Sequence, residues 1–133
     1  MAFFAVDKAP QAGTLYLMWF KIREAEELVW KIGVTSHEEP IDRMLQILRS
    51  FYMNKNHRYV PESYVKRFRK TDNVFGKEAM MLQHFSPYRW YPASKFDGHT
   101  EMITGVDEEV LLDTYEQCLA GIDINKKEED GCE

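Results

Sequence analysis

The sequence predicts an α+β domain in which a small, mostly antiparallel sheet of about three strands is flanked by helices. Short segments rich in aromatic and β-branched residues alternate with segments of helical periodicity. The 133 residues are 44% hydrophobic and 14% aromatic, which is enough to close one core. We therefore expect an N-terminal arm at 1–12, one domain at 13–121, and an acidic, disordered tail at 122–133.

Two strands are predicted at the start of the domain. Residues 15–22 and 28–35 are rich in aromatic and β-branched side chains, and the polar segment 23–27 lies between them. A hairpin is the natural arrangement, although the linking segment lacks a strong turn dipeptide and could equally form a helical turn, so the register stays open. Residues 64–69 alternate roughly and predict a third strand with a basic outward face.

Three helices complete the prediction. The first begins near Ser36 or Pro40 and carries an apolar stripe of Ile41, Met44, Leu45, Leu48 and Phe51. The second is centred on residues 77–85 and can be capped by Asp72 or Asn73. The third spans residues 107–121, with acids in its first turn and a glycine at its end.

The charge of the chain is unevenly distributed. The net charge is −5, yet residues 42–70 hold eight basic and two acidic side chains, whereas residues 101–133 hold two basic and eleven acidic ones. The basic stretch could contact a polyanion or could be a solvated surface. No apolar run approaches the ~20 residues that span a bilayer, and no export signal is visible. We expect a cytoplasmic protein in which Cys118 and Cys132 are reduced thiols.

Several common catalytic motifs are absent. The chain has no glycine-rich phosphate loop, no nucleophile elbow and no zinc-protease signature. What remains is a spaced set of polar side chains on predicted elements. They are Tyr16 on the first strand, Lys31 on the second strand, Arg43 on the first helix and Glu78 on the second helix.

This ordered set resembles the GIY-YIG nuclease superfamily. Thr14-Leu-Tyr-Leu17, Trp30-Lys-Ile-Gly-Val-Thr35 and the arginine entering a helix are similar to its motifs, and Lys-Ile-Gly-x-Thr is similar to a phage-associated branch with lysine at the second motif tyrosine. Glu78 followed by Phe85, Tyr88 and Arg89, and then the segment 96–103, also resemble that branch. The resemblance covers about residues 13–120.

The resemblance implies a small endonuclease, of the kind found in a phage-associated branch, that hydrolyses DNA phosphodiester bonds with Mg²⁺ or Mn²⁺. Tyr16 would orient or deprotonate the attacking water, and Lys31 would lower the pKa of that phenol or hold the water. Arg43 would bind the phosphate, and Glu78 would be the metal ligand and leave the remaining positions to water and phosphate oxygens.

DNA would follow the basic stretch. The cations that we expect to contact phosphates are Arg49, Lys66, Arg67, Arg69 and Lys70. Because no separate recognition domain is visible, low sequence specificity is expected unless the domain forms a homodimer or joins a protein partner.

Some positions depart from the pattern. Ile47 stands where relatives often have a histidine, and Leu82 stands where another histidine is expected, with His84 two positions further along. Because of these departures, an alternative stays open. The chain could be a catalytically inactive copy of the fold that binds nucleic acid or a host protein. Glu101 could be a second carboxylate of the site or a residue that closes the last loop, and the sequence favours the loop role.

Overall fold

One open antiparallel sheet organises the chain. The computed structural model describes residues 11–36 and 39–125, so most of the N-terminal arm and the tail beyond residue 125, including Cys132, lie outside the described residues. The strands are β1 (Gly13–Lys21), β2 (Val29–Thr35), β3 (Glu62–Thr71) and β4 (Met102–Thr104), in the order β3-β1-β2-β4. The predicted α+β class is confirmed.

The expectation of about three strands misses β4. This strand has three residues and pairs with β2, with Met102 opposite Lys31. Three residues are too short to produce a recognisable alternation of apolar and polar side chains, so the strand exists only because the edge of β2 is available to it.

The hairpin of β1 and β2 is confirmed, and the structure defines its register. Tyr16 is opposite Gly33, and Met18 is opposite Lys31. Because paired residues of an antiparallel ladder project to the same face, Tyr16, Lys31 and Gly33 share one face of the sheet.

Three helices pack against the sheet, as predicted. They are α1 (Ile41–Met53), α2 (Val74–His84) and α3 (Glu108–Leu119), and short 3₁₀ helices occupy Ser86–Tyr88 and His99–Glu101. Asp107 caps α3, since its carboxylate accepts a hydrogen bond from the backbone N–H of Val110 at 3.2 Å. Within the described ranges, none of the helices has the length and apolar character needed to cross a bilayer.

The core lies in two layers, one on each face of the sheet. Alternate residues of β1 belong to different layers, because successive side chains of a strand point to opposite faces. On the Tyr16 face, Met18 and Phe20 pack with the α1 residues Met44, Ile47 and Phe51. On the other face, Leu15 and Leu17 pack with α2 and α3 through Val74, Met81, Leu111, Tyr115 and Cys118.

Candidate active site

The four side chains singled out in the sequence line one cleft. Its volume is about 350 Å³, and Tyr16, Lys31, Arg43 and Glu78 reach it from β1, β2, α1 and α2. Glu78 enters from the helix layer on the opposite face, beside Phe75 and the end of β2 at Val34. The remaining lining residue is Glu101. Residues far apart in the chain thus form a single polar cleft.

Tyr16 depends on the glycine of the second strand. Its side chain is 1% exposed, and a Cβ placed at Gly33 would overlap its hydroxyl group. The phenol can therefore lie across β2 only because position 33 has no side chain. Burial raises the pKa of Tyr16 to about 12, and the opposing influence is the charge and hydrogen bond of Arg43.

Lys31 is a buried cation with a carboxylate partner. Its side chain is 1% exposed and forms an ion pair with Glu101. Burial lowers the pKa of Lys31, and the charge and hydrogen bond of Glu101 oppose that effect. Gly98, at φ +80°, lies directly under this lysine, because a Cβ there would be 2.9 Å from the lysine Cε. The loop before β4 therefore fits closely around the lysine.

Two cations, Arg43 and Lys31, lie near the side chain of Tyr16. The Nζ of Lys31 is 5.9 Å from the centre of the Tyr16 ring, and its ammonium is engaged by Glu101. Arg43, which also donates a hydrogen bond to Gln46 at 3.1 Å, is the group whose charge and hydrogen bond lower the pKa of Tyr16. That Lys31 lowers the pKa of the tyrosine or holds the attacking water stays a prediction.

Glu101 is the cleft residue that the sequence interpretation undervalued. It ends the 3₁₀ helix His99–Glu101 immediately before β4, and its carboxylate both lines the cleft and pairs with Lys31. The loop role and the site role are therefore combined in one side chain. The sequence feature that pointed to Glu101 was the resemblance of segment 96–103 to a family motif that contains a glutamate. That resemblance did not assign a role to the glutamate.

The donor set of the cleft fits a hard divalent cation. Glu78 and Glu101 supply carboxylate oxygens, and no group of three or more potential ligands among His, Cys, Asp and Glu occurs in the described part of the chain. Mg²⁺ is commonly held by one or two carboxylates, with water and substrate phosphates completing the octahedron. Glu101 pairs with Lys31, and Glu78 is the carboxylate to which the resemblance assigns such an ion.

The five predicted phosphate-contacting cations do not share a surface. Lys70 is exposed and opposite Thr14, on the Tyr16 face of β3, whereas Arg67 and Arg69 are opposite Leu17 and Leu15 on the other face. Lys66 is the extra residue of a bulge and pairs with Glu108 of α3. Arg49 is exposed on α1, about 120° around the helix axis from Arg43.

Ile47 and Leu82, which stand where the resemblance leads one to expect histidines, do not line the cleft, and neither does His84. Leu82 is half-buried and packs against the core layer of α2 and α3. Ile47 is 1% exposed within the layer under α1, so a proton carrier at that position is replaced by core packing. His84 is exposed at the end of α2, where its Nδ1 is 3.2 Å from the side-chain oxygen of Asn125. None of the three residues contributes a titrating group to the cleft.

Comparison of the chain with protein-family models, curated proteins and solved structures finds no match.

Proposed function

We propose that the protein is a metal-dependent endonuclease that hydrolyses DNA phosphodiester bonds through a GIY-YIG-type site. The observation that carries the proposal is the convergence of Tyr16, Lys31, Arg43 and Glu78 on one open cleft. Four functionally unrelated residues on two strands and two helices would be expected to point to different parts of the surface. The proposed setting is a cytoplasm, that of the host if a phage encodes the chain.

The side chains that line the cleft can each carry out a different part of phosphodiester hydrolysis. Arg43 offers a planar fork of donors to the non-bridging oxygens of the phosphate. With a pKa near 12, Tyr16 is protonated at neutral pH in the free protein and orients the attacking water by hydrogen bonding. Water adds to phosphorus and loses one proton to solvent, while the bond to the 3′ oxygen breaks and that oxygen takes up a proton from solvent, leaving a 5′ phosphate and a 3′ hydroxyl. An ion at Glu78 would supply charge stabilisation for the departing oxygen.

The test is cleavage of supercoiled plasmid DNA. Purified protein is incubated with Mg²⁺ or Mn²⁺, and with EDTA as the metal-free control. We expect nicked or linear products only with metal, and none from the Glu78→Ala protein under any metal. Tight DNA binding without cleavage in every metal would reject the enzyme and favour the second candidate.

The second candidate is a catalytically inactive module that binds nucleic acid or a host protein. Exposed aromatic residues after α2 favour it: Tyr88 is 42% exposed, Tyr91 is 71% exposed, and the Arg89 guanidinium is 5.6 Å from the Tyr91 ring centre. Tyrosine and arginine are frequent anchors of protein interfaces. Substitution of Tyr91 would then weaken partner binding, whereas the endonuclease would cleave normally with that substitution.

A further inference from the structure

Strand β3 divides its side chains between two different surfaces. Phe68 is opposite Tyr16, and Lys70 is opposite Thr14, so both project on the face of the candidate active site. Arg67 and Arg69 project on the face covered by α3. Only part of the basic stretch is therefore available to a substrate bound at Tyr16.

Acidic residues occupy the α3 face. Arg69 contacts Glu116 at 3.1 Å, and Lys66 contacts Glu108 at 3.1 Å. The same helix also carries Glu109 and Asp113. A polyanion approaching this face would meet the carboxylates of Glu108 and Glu116, already paired with Lys66 and Arg69, so the electrostatic attraction is reduced.

The Tyr16 face of β3 has a different composition. Phe68 is 47% exposed although it lies one strand from a buried tyrosine, and Lys70 is exposed two residues further on. Neighbouring strands are separated by about 5 Å, which is less than the length of one nucleotide. An exposed aromatic ring beside a cation is the combination that single-stranded nucleic acids bind, by stacking of a base and neutralisation of a phosphate.

We propose that Phe68 and Lys70 form the substrate strand's binding surface beside the cleft, with an unpaired DNA base stacked on Phe68 and a phosphate at Lys70. This inference rests on the proposed function, because it assumes a DNA strand at Tyr16. It also names the substrate class. A base can stack on a side chain only after it leaves its duplex neighbours, so the preferred substrate is single-stranded or locally unpaired.

The experiment measures binding separately from cleavage. A fluorescent single-stranded oligonucleotide and the duplex of the same sequence are titrated in EDTA, with fluorescence anisotropy as the readout. Phe68→Ala should weaken single-strand binding about 5- to 150-fold and change duplex binding less than twofold. Lys70→Ala should reduce the magnitude of the salt slope on single strands by about 0.7. Phe68→Leu, which keeps an apolar side chain, should lose as much affinity as Phe68→Ala.

Matched controls come from the opposite face of the same strand. Tyr64 is the control for Phe68, because it is also an exposed aromatic residue: its side chain is 55% exposed, and its ring centre is 5.9 Å from that of Trp19. Arg67 is an exposed cation and is the control for Lys70. Tyr64→Ala and Arg67→Ala should leave single-strand affinity within twofold. Three results would each refute the proposed binding surface. They are a loss of more than twofold in either control variant, unchanged binding by the Phe68 and Lys70 variants, and equal losses of affinity on duplex and single strands.

Failure of the proposed function gives a different pattern. A parent protein that binds single strands through Phe68 but cuts neither plasmid nor the single-stranded oligonucleotide with Mg²⁺ or Mn²⁺ supports the surface and rejects the endonuclease. A parent that cuts plasmid while the Phe68 variants bind normally rejects the surface alone. A parent that binds no DNA rejects both.

Discussion

Removal of the Glu101 charge should destabilise the protein through the lysine that it neutralises. In the Glu101→Gln protein, Lys31 would remain 1% exposed without its ion-pair partner. Breaking a buried ion pair from one side typically costs about 3–5 kcal/mol. Because the Glu101 side chain is 35% exposed and water screens part of the interaction, we expect a loss of about 2–3 kcal/mol. For a chain of this size, that loss corresponds to a decrease in Tm of about 6–12 °C.

The dependence on pH identifies the cause. Burial lowers the pKa of Lys31 below its ordinary value, so between the two values the unfolded chain binds more protons and stability rises with pH. Loss of Glu101 should lower that pKa further. The destabilisation by Glu101→Gln should therefore be greatest at neutral pH and should shrink as pH approaches the ordinary lysine pKa near 10.4.

The assay is chemical denaturation of the parent, Glu101→Gln, Lys31→Met and the double variant from pH 7 to pH 10. The double variant removes both charges and should be more stable than the sum of the single losses implies, by about 1–3 kcal/mol. A Glu101→Gln protein within 0.5 kcal/mol of the parent at pH 7, or strictly additive losses, would refute the argument that the carboxylate offsets the burial of Lys31.

Three further predictions concern the chemistry of the cleft. Tyr16→Phe should lower the single-turnover cleavage rate by about 10²-fold or more while DNA affinity stays within twofold; an active variant would exclude the tyrosine mechanism. Gly33→Ala should lower both Tm and cleavage, because its Cβ would displace the Tyr16 hydroxyl, and a Gly33→Ala protein with parental values would contradict the close approach. Arg43→Gln should lower the single-turnover cleavage rate by about 10²-fold or more, because the guanidinium supplies the donors proposed for the phosphate; a variant that cleaves within threefold of the parent rate would remove Arg43 from the mechanism.

The sequence alone was sufficient for the fold class and for the elements that carry the cleft. Leu15 to Thr35 formed a recognisable hairpin because its apolar runs are long, and Asp107 marked the start of α3 through a local capping contact. The spaced order of Tyr16, Lys31, Arg43 and Glu78 also suggested a common site, and their side chains do line one cleft.

The tertiary structure decided what depends on register and on long-range packing. The pairing of Glu101 with Lys31 joins residues from different parts of the chain, and no local pattern encodes it. The division of β3 between two surfaces likewise depends on which residue of β1 each side chain opposes, and the bulge at Lys66 changes that relation within the strand. Composition counts charges along a chain, but only the folded sheet determines which of them face the same substrate.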